Sequence, residues 1–221
     1  MSSRSTPGVA SIRAGADDRE SGDCAAITPI GVDVGMRQLA TVASADTDPA
    51  DAVVVSGDRA RDHYAEFTKA THRLQEQPHT TDNLGDIVWR YWRQFRREFR
   101  AAADTILTYA RQWPAPVVVL EDLPDDRQPL VACRYGQVRA PTWMPTAVQA
   151  VIAERVANAG VPVTYVDPTC TTQECHTCGL IGHVEYETLV CTTPDCPVDE
   201  VCRDRSAAVT IANRAIDEER A

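Results

Sequence analysis

Apolar and polar positions along this chain repeat with two different periods, and the changes between them mark out its elements. Ile30-Gly31-Val32-Asp33-Val34-Gly35 reads as a short strand carrying one carboxylate. Leu39–Val42 reads as a second strand, and Val53-Val54-Val55 as a third that closes a hairpin or meander after a turn over Asp46–Asp51. A helical region runs from Asp58 to about Gln77 and is broken by residues 78–83. The longest helical pattern spans Asp86–Trp113, where Ile87, Tyr91, Phe95, Phe99, Ala102, Ile106 and Ala110 recur every three or four residues as one apolar face. Pro114 and Pro116 end it.

Val117–Leu120 is apolar throughout, the pattern of a strand buried on both faces, and it runs into Glu121-Asp122. Residues 125–139 have no period and read as a loop. A helix opening at Thr142 or Pro145 then runs through Ala159, with Val148, Ile152 and Val156 inward and Gly160 at its C′ position. Val161–Val166 is a further strand. Asp204 heads a closing helix to about Glu218, whose apolar face is made of small residues around Ile211. Residues 1–26 show no apolar period and predict a disordered tail. His63, His72 and His79 lack ligand spacing and are expected at the surface.

With 221 residues the chain can bury one core and carry a small appended module. No apolar run reaches membrane-spanning length and no apolar segment follows Met1-Ser2-Ser3-Arg4, so the expectation is a soluble, cytoplasmic protein without a membrane partner. Charge changes the picture more. Acidic residues number 32 against 22 basic ones, and Lys69 is the only lysine, a balance that suits a halophilic source.

An acidic chain argues against nucleic-acid binding unless positive charge is gathered locally. It is gathered once: Arg90, Arg93, Arg97 and Arg100 align on one face of the long helix, with Arg96 nearby and Trp89, Tyr91 and Trp92 interleaved. Two readings stand side by side. One is a solvated helix face; the other is a contact surface for a phosphate backbone.

The cysteines carry a sharper signal. Cys175-x2-Cys178 and, twelve residues on, Cys191-x4-Cys196 match the paired knuckles of a zinc ribbon. Disulfides are the alternative, and they need an oxidising compartment for which the N-terminus offers no signal. Cys170 and Cys202 flank the cluster, and Cys24 and Cys133 read as isolated thiols.

Three carboxylates stand out: Asp33 on the first strand, Glu121 at the end of the central strand and Asp204 at the start of the last helix. Singly, Asp33 either caps a turn or faces a cation at a strand edge, and Asp204 suits a helix N-cap. Strand alternation sends Glu121 and Asp122 to opposite faces, so at most one of them can share a site with Asp33. Together, in a β-β-β-α-β-α-β-α order, they match an RNase H-like nuclease core, whose carboxylates hold two divalent ions for phosphodiester cleavage.

These segments resemble a known family. Gly31-Val32-Asp33-Val34-Gly35 with Leu39-Ala40-Thr41, Val118–Leu123, Thr172-Gln173 leading into the cysteine pairs, and Asp204-Arg205-Ser206-Ala207-Ala208 with Ile211 are similar to the OrfB/TnpB family. Those are transposon-associated proteins with a split RuvC nuclease domain and an inserted zinc ribbon, related to type V CRISPR effectors. The resemblance implies an α/β fold, an RNase H-like (RuvC) mixed sheet flanked by helices, with the ribbon inserted. It divides the chain into a tail (1–26), a RuvC-like core (27–168), a zinc ribbon (169–203) and a closing RuvC helix (204–221).

It further implies that Asp33, Glu121 and Asp204 are catalytic and hold Mg²⁺ or Mn²⁺, and that Cys175, Cys178, Cys191 and Cys196 hold structural Zn²⁺. The implied function is a DNA endonuclease linked to transposition and DNA recombination, and RNA-guided. Relatives carry a large N-terminal module, whereas about 30 residues precede the first strand here. A separately encoded N-terminal partner and a guide RNA are therefore expected beside DNA. The alternative is a catalytically weak zinc-ribbon DNA/RNA-binding remnant of a truncated transposon protein.

Overall fold

In the computed structural model, which describes residues 26–75, 84–123 and 143–220, five strands form one mixed sheet. They are β1 (Thr28–Asp33), β2 (Gln38–Ser44), β3 (Val53–Ser56), β4 (Pro116–Glu121) and β5 (Val163–Val166), in the order β3-β2-β1-β4-β5. The first three pair antiparallel as a meander, while β4 pairs parallel with both β1 and β5. Four helices accompany them among the described residues: α1 (Asp58–Gln75), α2 (Leu84–Ala110), α3 (Trp143–Asn158) and α4 (Arg203–Arg220). The expected tail up to residue 25, the break at 78–83, the loop at 125–139, and His79, Cys24 and Cys133 lie outside the described residues.

Strand alternation divides the sheet into two unlike faces. Ile30 and Val32 of β1, Ala40 and Val42 of β2, and Val118 and Leu120 of β4 pack into one large core with Phe95, Phe99 and Ile106 of α2 and Val148 and Ile152 of α3. The intervening residues point the other way, where Ala43 meets Ala208 and Val209, and Val119 and Val166 meet Ile211. That second face is covered by α4.

The small residues of α4 allow it to lie directly on the strand backbone. At Gly31 a Cβ would overlap the Ala208 carbonyl oxygen and lie 2.6 Å from the Ala212 nitrogen, so glycine is required for this approach. Gly160 closes α3 as its position predicts, at φ +79°. The Val161 N–H then donates to the Val156 carbonyl at 3.2 Å, which completes a Schellman-type cap.

Between β5 and α4 the chain builds a second, three-stranded antiparallel sheet from β6 (His183–Glu185), β7 (Thr188–Val190) and β8 (Glu200–Cys202). Sequence reading anticipates the cysteine turns but not these strands, each of which is three residues long. The surface position expected for His63 is a correction: its ring stands edge-on to Phe95 at 6.3 Å, in the seam between α1 and α2. The helical rhythm of α1 carries a polar residue inward there, where Nε2 comes 3.7 Å from Glu98. His72 is exposed, as expected. No described helix is long and apolar enough to cross a membrane.

Candidate metal centre and acidic site

The first cysteine pair is formed by a tight turn in which the Gly179 N–H donates to the Cys175 carbonyl at 2.8 Å, with Gly179 at φ +70°. The second is a wider turn through Asp195, at φ +65°, which accommodates the four intervening residues. The ligand sulfurs of Cys175, Cys178, Cys191 and Cys196 all lie within 4.8 Å of one another. Cys175 and Cys196 sulfurs are 3.9 Å apart, and those of Cys178 and Cys191 are 3.7 Å apart. A disulfide needs about 2.05 Å. A zinc tetrahedron with Zn–S bonds of about 2.3 Å has edges of about 3.8 Å.

The four cysteines are thus placed to hold a metal ion such as zinc. Cys170 and Cys202 stand outside the group. Burial pushes the Cys175 thiol up, whereas the Thr193 hydroxyl and the Leu180 N–H draw Cys178 down to about 6.

The acids lie on the α4 side of the large sheet. Asp33 ends β1 and Glu121 ends β4, each two residues beyond the paired Gly31 and Val119, so both point towards α4. Asp204 sits in the first turn of α4, which begins at Arg203, so the helix-cap alternative is not the position it occupies. All three are nearly buried, with relative exposures of 8%, 9% and 9% for Asp33, Glu121 and Asp204. Asp122 is exposed on the other side of the alternation.

Electrostatics ties the three together. Burial, followed by the negative charges of Asp204 and Glu121, holds the Asp33 pKa well above the ordinary carboxyl value, while Arg203 pulls it down. Burial also raises Glu121, opposed by a hydrogen bond from the Thr171 hydroxyl and by Arg214. Their oxygens do not gather as tightly as the cysteine sulfurs: among the described residues only the cysteine group falls within 4.8 Å. As a donor set the acids are all hard oxygen, the chemistry a divalent ion such as Mg²⁺ takes.

Residues that sequence reasoning did not single out support this site. Arg203 donates to Asp204 Oδ1 through Nε and Nη2, both at 2.9 Å, and its N–H donates to the Glu187 carbonyl at 2.7 Å. Gln149 of α3 donates its amide to the Glu121 backbone carbonyl. Arg214 spans from Glu174 to the carbonyl of Thr169, and His176 Nδ1 lies 3.0 Å from the buried Ser206 hydroxyl. These contacts dock the cysteine module against α4. Only Arg203, adjacent to Asp204, carried a local signal; the others depend on distant contacts.

The arginines expected at a phosphate surface lie elsewhere. Arg90, Arg93, Arg97 and Arg100 are exposed along α2, with Arg96 half-buried beside them, on the layer across the sheet from the acids.

The fold has counterparts among known proteins. A family model described as "Cas12f1-like, TNB domain" matches residues 147–211, under a third of the chain. A solved Cas12f1–sgRNA–target DNA complex is similar at a TM-score of 0.63 and 17% identity, covering 89% of this chain and 52% of that one. The chain has a Cas12f-like fold.

A CRISPR–Cas12f ternary complex matches at 0.62 and 17% identity, over 92% of this chain and 41% of that one. The mini RNA-guided endonuclease CRISPR-Cas phi3 matches at 0.57 and 13%, over 86% and 45%. The chain thus spans about half the length of these Cas proteins. No curated protein sequence matches it. The family model thus covers part of the chain, and the solved structures share its fold.

Proposed function

We propose that this chain is a RuvC-like DNA endonuclease module of TnpB type, with an RNase H-like core (27–168), a zinc ribbon (169–203) and a closing helix (204–221). The observation that carries the reading is the convergence of Asp33, Glu121 and Asp204 on one face of the sheet, nearly buried and mutually repulsive. Burying like charges together is costly unless a cation neutralises them.

Asp33, Glu121 and Asp204 are the residues to hold Mg²⁺ or Mn²⁺, which when bound would activate water and stabilise the leaving oxygen of a phosphodiester. The chain's own contribution is to prepare the ligands. Thr171 orients Glu121 and favours its ionised form, and Arg203 holds Asp204 while drawing the Asp33 pKa down. In this reading Cys175, Cys178, Cys191 and Cys196 hold Zn²⁺ and fix the module against α4.

Guide RNA and target DNA are the partners this reading implies, since similar solved proteins are complexes with them.

A second reading, a DNA/RNA-binding module that does not cut, draws on one observation. The Arg203 guanidinium already pairs with Asp204, so a cation of the chain's own stands at the site.

Cleavage of labelled single- and double-stranded DNA, in high salt with Mg²⁺ or Mn²⁺ and beside Asp33→Ala, decides between them. Metal-dependent cutting that the variant loses supports the nuclease. A folded, zinc-loaded protein that binds DNA but leaves it intact supports the binding module.

A further inference from the structure

The exposed side of α2 carries a groove that the acidic site does not use. It has a volume of about 600 Å³ and is lined by Trp89, Trp92, Arg93, Arg96, Arg97 and Arg100, with Asp104 at one end. Two features separate it from an ordinary solvated helix face. The first is charge: the chain carries a net −10, yet this groove presents four guanidinium groups on two turns of one helix. The second is its apolar content, because the Trp89 indole is 59% exposed and Trp92 lines the groove beside it.

The ion pairs nearby leave this charge largely unspent. Arg96, half-buried, reaches Glu154 of α3 at 3.7 Å, and Arg97 reaches Glu98 at 3.2 Å with an exposed guanidinium that exchanges partners readily. Asp104, the acid in the groove, is held by Arg155 at 2.8 Å. Among the described residues no carboxylate pairs with Arg93 or Arg100. The groove is therefore net positive and open.

We infer that this groove binds single-stranded nucleic acid, its arginines on successive phosphates and Trp89 stacked on an unpaired base. Arg93, Arg97 and Arg100 follow one side of the helix at intervals of four and three residues, about 6 Å and 4.5 Å of helix rise, so they form a track rather than a point. An arginine track alone would accept a duplex equally well. The exposed indole makes the difference, since a base can stack on it only when it is out of a duplex.

The groove lies across the sheet from Asp33 and Glu121. Ile30 and Val32 face the α2 layer, while the acids face α4. The strand held here is thus bound independently of the scissile one. The inference extends the proposed nuclease reading but does not require cutting, so the two can fail separately.

The test is fluorescence anisotropy of labelled oligothymidylate, oligouridylate and a mixed-sequence DNA duplex on the zinc-loaded chain without added Mg²⁺, across a salt series. The variants are Trp89→Ala and the triple Arg93→Ala/Arg97→Ala/Arg100→Ala. Their side chains are exposed, so unchanged melting and zinc content show that the fold is kept. The triple variant is expected to bind single strands at least tenfold more weakly and to lower the slope of log affinity against log salt by about 2. Trp89→Ala is expected to weaken single-strand binding about tenfold with little effect on the duplex.

Comparison of oligothymidylate with oligouridylate then says whether DNA or RNA is the preferred strand. Unchanged single-strand affinity in the triple variant overturns the inference. So does equal weakening of single strand and duplex by Trp89→Ala, or displacement of the oligonucleotide by polyglutamate as readily as by unlabelled strand. The last result would assign the groove to an acidic protein. Binding lost in these variants with cleavage retained, or the reverse in Asp33→Asn, separates failure of this inference from failure of the nuclease reading.

Discussion

Asp33 and Glu121 occupy equivalent positions on two neighbouring parallel strands, each two residues past the Gly31–Val119 pair, so their carboxyl groups face the same side of the sheet. Two nearly buried carboxylates on that face repel, and Asp204 adds a third negative charge. The relationship has consequences that can be measured without any nucleic acid.

The raised pKa of Asp33 sets the sign of its effect on stability. The folded state holds the Asp33 proton more tightly than the unfolded chain does, first through burial and then through Asp204 and Glu121. Its contribution to folding is therefore fully present below the unfolded carboxyl pKa of about 4 and is lost as pH rises through the folded value. Asp33→Asn removes the repulsion. At neutral pH and without added Mg²⁺, this variant should melt above wild type by about 2–4 °C for each kcal/mol relieved. The gain should shrink towards pH 4, and added Mg²⁺ should narrow it by stabilising wild type alone. A variant that melts lower at neutral pH would remove the acidic cluster from the argument.

Thr171 acts on Glu121 through its hydroxyl, which favours the ionised carboxylate. Thr171→Val keeps the shape and deletes that hydrogen bond. The Glu121 pKa should rise, so the acid limb of Mn²⁺ binding, followed by calorimetry, should move to higher pH. At neutral pH the affinity should fall about 10–100-fold, as it does when a group orienting a metal ligand is lost. An unshifted pH dependence would show that Thr171 serves packing alone.

The cysteine cluster should hold one zinc per chain. Cys191→Ala should bring bound zinc close to zero by chelator titration, because three remaining ligands leave the tetrahedron open. Structural zinc contributes on the order of 10 kcal/mol to small modules. The residues around β6–β8 should then become protease-sensitive, while the five-stranded sheet, with its own core, stays protected. Full zinc retention in this variant would refute the four-cysteine assignment.

Gly31 allows α4 to lie against β1. Gly31→Ala places a methyl group on the backbone of Ala208 and Ala212, which must move. Overpacking of this kind costs about 1–3 kcal/mol or more. Thermal melting should show the loss. Cleavage, if the acids act together, should fall further than stability, because Asp204 moves with the helix.

Much of this architecture was legible along the chain. The apolar period of α2, the unbroken apolar run of β4 and the alternation around Asp33 each report a local contact environment, so each can be read without knowing its partners. Alternation also separated Glu121 from Asp122, and the structure puts Glu121 towards α4 and leaves Asp122 exposed. The strands of the cysteine module were not legible, since three residues are too few to show a period. His63 was misplaced because the identity of a polar residue does not reveal that a neighbouring helix covers it.

The sequence by itself determined the helices and the strands of the large sheet, because helix and strand periods are set by backbone geometry and side-chain type. It also determined the metal-ligand chemistry of the cysteine pairs, because a two-residue or four-residue turn brings its sulfurs close whatever the rest of the chain does. Only the tertiary structure decided that Asp33, Glu121 and Asp204 share one face, that Thr171, Arg203 and Gln149 attend them, and that the α2 groove lies across the sheet. Those relations join residues tens of positions apart, and strand order and the packing of α4 bring them together.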